Sequence, residues 1–210
     1  MVTDPTAIPE IVIRRLPLYV RALQWLAQEG MVVISSHDLG ALLGMTPAQI
    51  RKDLSYFGEF GKQGMGYDVK FLHSQLRKIL GVEREWLVAL VGIGNLGHAI
   101  ARYGGFTRRG FKIAALFDDD PRKIGQQVGE LEILGMNELP MVLRGLRIQL
   151  AIVAVPAAAA QEVVDQLIAA GVHGILNYAP TNLSVPKGVR VHYIDPVVML
   201  QGMTYHLKKL

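Results

Sequence analysis

The run Gly92-Ile93-Gly94-Asn95-Leu96-Gly97 spaces three glycines as GxGxxG, and Asp118 lies 21 residues beyond the last of them. The spacing matches the needs of a dinucleotide. Gly92 permits a tight turn, Gly94 lets the backbone approach a pyrophosphate, and Gly97 lets a helix pack closely on a strand. The helix starting near Asn95 turns its N-terminus toward the phosphate charge. Asp118, expected to close the next strand, can accept hydrogen bonds from both ribose hydroxyls. Its charge would repel a 2′-phosphate, which favours NAD(H) over NADP(H). Asp119 strengthens that bias, although Asp119 and Asp120 equally suit a solvated acidic turn before Pro121. The motif is common in isolation, and its placement between an apolar strand and a helix gives it meaning.

Ligands on open α/β sheets sit outside the carboxyl ends of the strands. Val155-Pro156 and Asn177-Tyr178-Ala179-Pro180 occupy such ends, where they would cover a nicotinamide or simply turn the chain. Their apolar character matters for redox chemistry. A water-poor pocket penalises the cationic oxidised ring and tolerates the neutral reduced one, which would select NADH over NAD+.

A second constellation spans residues 35–69. Ser36 is expected to cap a helix whose Leu39, Leu42 and Leu43 face inward, and Gly44 ends it. Thr46 caps a second helix, with Pro47 in the first turn where its missing N–H costs nothing. Ile50, Leu54 and Phe57 recur at helical spacing and should face a core. That leaves Gln49, Arg51, Lys52, Ser55 and Tyr56, beside Thr46, for solvent or for a DNA major groove, with Arg51 the first choice for a bidentate guanine contact. Glycines at 58, 61, 64 and 66 then suit a tight hairpin, a wing with Lys62 near its tip. Residues 45–80 hold six cations against three carboxylates, a net +3 too modest to outweigh the topology as an argument.

These groups need two scaffolds. Residues 10–80 read as helices followed by a glycine-rich hairpin. Residues 86–194 alternate apolar strands with helical patterns: strands at 86–91, 112–117, 149–155, 174–177 and 190–193, and a helix at 95–103. A mostly parallel sheet with helices on both faces follows. The GVERE stretch at 81–85 is short and charged, as a linker should be. The expected division is a winged-helix domain at 1–82, a Rossmann-like domain at 83–194 and a terminal helix at 195–210, an α/β chain overall. Of the 210 residues, half are hydrophobic, which argues against disorder. The net charge of +4 is compatible with nucleic acid and proves little. With no cysteine, there is no disulfide, thiolate zinc site or thiol switch, so redox sensing would need a bound ligand. The longest apolar run, 150–160, contains Pro156 and is too short to span a bilayer, and the opening residues lack a signal-peptide pattern, so a cytoplasmic protein is expected.

Further segments fit one family. Arg15-Leu16-Pro17-Leu18-Tyr19, the run from Ile50 to Gly58, Gly66-Tyr67, the glycine loop, the run from Gly174 to Pro180 and the run from His192 to Val198 together resemble the Rex redox-sensing repressors over nearly the whole chain. The resemblance implies a homodimer on palindromic double-stranded operator DNA, bound when NAD+ is plentiful and released by NADH. It also implies a C-terminal helix exchanged into the partner, which Asp195 can cap and whose Val197, Leu200, Met203, Thr204 and Leu207 make one apolar face. A salt link of Arg21 and Asp195 with Tyr103 in the DNA-bound state is implied likewise. Two rivals stay open. A small NAD-dependent dehydrogenase would use the same loop, but no second catalytic domain follows and the six histidines are scattered. A coenzyme A-binding module is the other, since the family's second half resembles those of acyl-coenzyme A synthetases; Asp118 and the winged helix argue against it.

Overall fold

The computed structural model describes residues 8–62 and 64–207, with the side chains of Lys62 and His206 outside the description. The opening residues, where no signal peptide is expected, and the last three of the terminal segment lie outside it. The chain divides into two units between Arg84 and Glu85.

In the first unit, α1 (Glu10–Gln28) buries Val12, Leu16, Tyr19, Leu23 and Leu26, alternating steps of four and three that keep one helical stripe inward. The chain continues through β1 (Val33–Ile34), α2 (Ser36–Leu43), α3 (Pro47–Ser55), β2 (Gly61–Lys62), β3 (Gly66–Asp68) and α4 (Val69–Ile79). The short strands pair antiparallel in the order β1-β3-β2, so the expected wing is a hairpin carrying a third strand. Ser35, not Ser36, caps α2: its hydroxyl accepts from the Asp38 amide at 3.0 Å. Adjacent serines make this one-residue difference invisible in sequence. Leu39 is buried and Leu43 packs against the same core, but Leu42 points outward at 46 % exposure, off the stripe that Leu39, Gly40 and Leu43 turn inward. Gly44 ends α2 in the left-handed region, φ 66°, and the Thr46 hydroxyl caps α3. The helix after the wing, α4, was not anticipated. Asp68 caps it, and Val69, Leu72 and Leu76 join α1 in the core.

The second unit runs β4 (Trp86–Val91), α5 (Asn95–Ala101), β5 (Phe111–Asp118), β6 (Gln127–Val128), β7 (Leu131–Gly135), α6 (Leu139–Leu146), β8 (Leu150–Val153), α7 (Ala157–Ala169), β9 (Gly174–Asn177), β10 (Arg190–Tyr193) and α8 (Pro196–Leu207). The sheet order is β10-β9-β8-β4-β5-β7-β6, parallel throughout except for the β6–β7 ribbon. β4 is buried on both faces. Ala89 and Val91 pack toward α6 and α7, and Val88 and Leu90 toward α5, which explains its uninterrupted apolar run. Strand order reverses beside β4, whose neighbours are β5 and β8, and this opens a crevice at the carboxyl ends.

Several boundaries differ from expectation. The helix after the glycine loop ends at Ala101 rather than 103, and β5 gains one residue at each end. β8 stops at Val153, which leaves Val155-Pro156 in a loop. The β6–β7 ribbon and α6 were missed, since their short runs carry little periodicity. The terminal helix also departs from its expected one-sided pattern. Val197, Val198, Met199, Leu200, Met203, Tyr205 and Leu207 are each at least 60 % exposed, and at helical spacing they lie on several sides of α8 rather than on one face. Asp195 caps it by accepting from the Val197 amide at 2.9 Å. Among the described residues, no helix is long and apolar enough to cross a membrane.

Candidate dinucleotide site and nucleic-acid interface

The glycine loop is a requirement of close packing. Gly92 holds φ 93°, and a Cβ there would lie 2.5 Å from the Ala154 carbonyl oxygen. A Cβ on Gly97 would collide with the Gly92 carbonyl, so the helix can sit this near the turn only without a side chain. Gly94 is exposed and faces open space, leaving its backbone free to be approached. Gly97→Ala should therefore force loop and helix apart and weaken NADH binding roughly 10- to 100-fold, from about 1–3 kcal/mol of overpacking. A fluorescence titration checks this, and unchanged affinity would show that the loop does not seat the cofactor.

Beside this loop lies a cavity of about 690 Å3, within the range of small-molecule sites. Val91, Gly92, Gly94, Asn95 and Leu96 form one wall, Asp118, Asp119, Asp120 and Lys123 another, and Ala154, Val155 and Pro156 a third. Met136 and the α7 residues Ala159, Glu162, Val163 and Gln166 complete it. The sequence reading brought forward Gly92, Gly94, Asn95, Leu96, Asp118, Asp119, Val155 and Pro156. It passed over Lys123, Met136 and the α7 face, which a four-residue recurrence of Ala159, Val163 and Glu162, Gln166 could have suggested.

Other candidates stand elsewhere. The Ile93 side chain is buried in the core, so this residue offers the site only its backbone. Asn177, Tyr178, Ala179 and Pro180 lie outside the cavity at the end of β9. Asn177 is fully buried and closes its own turn: its Oδ1 accepts from the Ala179 amide and its Nδ2 donates to the Ala179 carbonyl, both at 3.0 Å. Its side chain is thus committed to shaping the loop.

Asp118 is 4 % exposed. Its Oδ2 accepts from the Ile93 amide at 2.7 Å and from Lys123 Nζ at 2.9 Å, and its Oδ1 accepts from the Asp120 amide at 2.9 Å. Burial opposes the charge, but the two amides and the ammonium outweigh it and hold the pKa below the ordinary carboxylate value. Asp120 is neutralised separately by Arg122, whose guanidinium donates twice to its carboxylate. Among the described residues, no cluster of His, Asp and Glu could hold a metal ion.

In the first unit, α3 presents Arg51, Lys52 and Ser55 exposed and Gln49 and Tyr56 half-buried. Arg51 lines a groove shared with Ser35, Ser36, Gly61, Gly66 and Tyr67, where its guanidinium donates to the Ser36 hydroxyl at 3.0 Å. The Thr46 hydroxyl accepts from the Gln49 amide as a cap and keeps its O–H to donate, and Lys62 lies on β2 with its side chain outside the description. The residue that sequence reasoning missed is Asp53, 2 % exposed on the inner face of α3. Arg15 donates to both its oxygens at 2.7 Å and the Tyr19 hydroxyl donates at 2.6 Å. Burial and the Asp53 carboxylate push the Tyr19 phenol above its ordinary pKa. The signal was present in sequence. Asp53 falls between Ile50 and Leu54 on the apolar stripe, and Arg15 and Tyr19 stand one helical turn apart.

Residues 83–181 match the coenzyme A-binding domain model, and residues 7–55 match that of a putative DNA-binding protein N-terminus. The redox-sensing transcriptional repressor Rex of Roseiflexus sp. is 57 % identical over 96 % of this chain and 91 % of its own length. The chain belongs to the Rex family. A Rex of Streptomyces coelicolor is 45 % identical over 97 % of this chain and 79 % of that protein. A crystal structure of RSP in complex with beta-NAD+ and operator DNA superposes with a TM-score of 0.91 at 36 % identity, covering 96 % and 93 % of the two chains. RSP in complex with beta-NADH gives 0.87 at 34 % identity, covering 97 % and 95 %. Rex membership sets the chain among redox-sensing transcriptional repressors rather than dehydrogenases, and the coenzyme A-binding match spans only its second half. The three residues of the implied Rex switch fall in both units: exposed Arg21 on α1, and in the second unit exposed Tyr103 after α5 and Asp195 at the start of α8.

Proposed function

We propose that this chain works in the cytoplasm as a homodimer on palindromic double-stranded operator DNA, holding it with NAD+ bound and releasing it when NADH binds. The observation that carries this reading is the collinear match, over nearly the whole chain, to a Rex-family repressor crystallised with NAD+ and operator DNA and again with NADH. We assign residues 1–82 to DNA, 83–194 to the dinucleotide and 195–210 to an exchanged dimer helix.

Thr46, Gln49, Arg51, Lys52, Ser55, Tyr56 and Lys62 meet the operator, the last through phosphate. Gly92 to Gly97 and Asp118 take the pyrophosphate and adenosine ribose, which NADH and NAD+ share. Discrimination then falls to Val155, Pro156, Tyr178, Ala179 and Pro180, where apolar surroundings favour the neutral reduced ring. Asp118 is buried and thrice bonded, so about one acceptor position of its carboxylate remains open to a ribose hydroxyl. We assign Arg21, Tyr103 and Asp195 to the switch; the Asp195 carboxylate keeps acceptor capacity while capping α8.

Moving the dimer from mostly bound to mostly released requires that NADH favour the released state by about 5.5 kcal/mol, roughly 10⁴-fold. A gel-shift series at fixed salt with NADH, NAD+ and coenzyme A tests this, salt being fixed because counterion release dominates DNA affinity. NADH alone should release the operator. Equal release by NAD+, or tighter binding with NADH, would overturn the redox switch, and release by coenzyme A would favour a coenzyme A module.

A further inference from the structure

The carboxylate of Asp118 already has three donors, and a carboxylate offers about four acceptor positions. Two ribose hydroxyls would need two. One donor has to leave before both can bind. The Ile93 amide belongs to the glycine turn and the Asp120 amide to the acidic turn, so neither can withdraw without dismantling backbone that shapes the cavity. Lys123 is different. Its ammonium ends a flexible four-carbon stem, its side chain is one-third exposed, and it lines the cavity.

The chain delivers Lys123 there by a tight turn. The Lys123 amide donates to the Asp120 carbonyl at 2.9 Å, the Asp120 carboxylate accepts from the Arg122 amide at 3.0 Å, and Pro121 stands between them. Five residues after Asp118, the side chain folds back onto it.

We propose that Lys123 competes with the adenosine ribose for Asp118 and so sets the absolute affinity for both dinucleotides without changing the preference between them. This rests on the dinucleotide reading above. NADH and NAD+ carry the same adenosine half, so displacing Lys123 costs both the same amount. The residue therefore adjusts the concentration at which the sensor fills, while the nicotinamide end decides which redox form fills it.

The test is calorimetric titration of the full-length protein with NADH, NAD+ and ADP-ribose, which keeps the adenosine half and lacks the nicotinamide. Lys123→Met should bind all three more tightly by one common factor, about three- to tenfold for release of a partly exposed ion pair. Lys123→Gln should shift the same way, and Lys123→Arg, which restores a cation, should stay near wild type. Equal or weaker affinity in both neutral variants, or a gain confined to NADH, would overturn the proposal. Wild-type protein that takes up none of the three ligands would instead refute the dinucleotide site, and this inference with it.

Discussion

Asp53→Ala is expected to lower the stability of the first unit by about 3 kcal/mol and to cost operator affinity at least tenfold, while leaving NADH binding by the second unit unchanged. The loss arises because truncation strands three donor groups on two side chains. Arg15 loses both hydrogen bonds, and the fully buried Tyr19 hydroxyl keeps only a 3.5 Å contact with the Met45 sulfur. The low end of the range for buried pairs applies, since the Arg15 side chain is 17 % exposed and can recover some hydration. Operator affinity falls for a geometric reason. Asp53 lies on the inner face of α3, so its anchorage to α1 fixes the roll at which Arg51, Lys52 and Ser55 face outward. Urea denaturation and a gel shift read the two effects separately. A variant with the wild-type midpoint and operator affinity would show that Asp53 anchors nothing.

Ending the chain after Asp195 should turn a dimer into a monomer at micromolar concentration, as light scattering would report. The seven large apolar side chains of α8 that are at least 60 % exposed each stand to gain up to about 1.5–3 kcal/mol on full burial, together of the same order as the association cost of roughly 4–15 kcal/mol, so removing them removes a large part of the drive to associate. None of them contributes to the cores of either unit, so the truncated chain should keep its fold and its NADH site. A truncated protein that remains dimeric would refute helix exchange as the main contact between copies.

How far these features were legible depends on whether they are local. The glycine loop could be read because Gly92 and Gly97 answer backbone requirements that no other residue meets, as the Gly97–Gly92 contact illustrates. Caps at Thr46 and Asp195 were legible because capping reaches only two or three residues. The Asp53 clamp was not, since it joins residues 34 and 38 positions apart and an aspartate on a helix is ordinarily taken as exposed. Lys123 was masked differently: in a run of charges after Pro121, nothing marks which cation folds back. The terminal helix was read as one-sided because Val197, Leu200, Met203, Thr204 and Leu207 recur at helical spacing, while Val198, Met199 and Tyr205 on its other sides were passed over. Apolar side chains on several sides suit a helix that is buried by more than one neighbour.

The two ends of the seven-stranded sheet bear on how copies of this protein can meet. One edge, β10, is four residues long and carries Arg190 and His192, both exposed; the other, β6, is two residues long. Short, charged edges are poor templates for strand addition, because an incoming strand would gain few ladder bonds and would meet side chains it must desolvate. Continuous sheets across subunits, and the open-ended fibres they seed, are therefore disfavoured by construction. Self-association then falls to other surfaces, where an isologous two-fold contact closes on two copies instead of growing without limit.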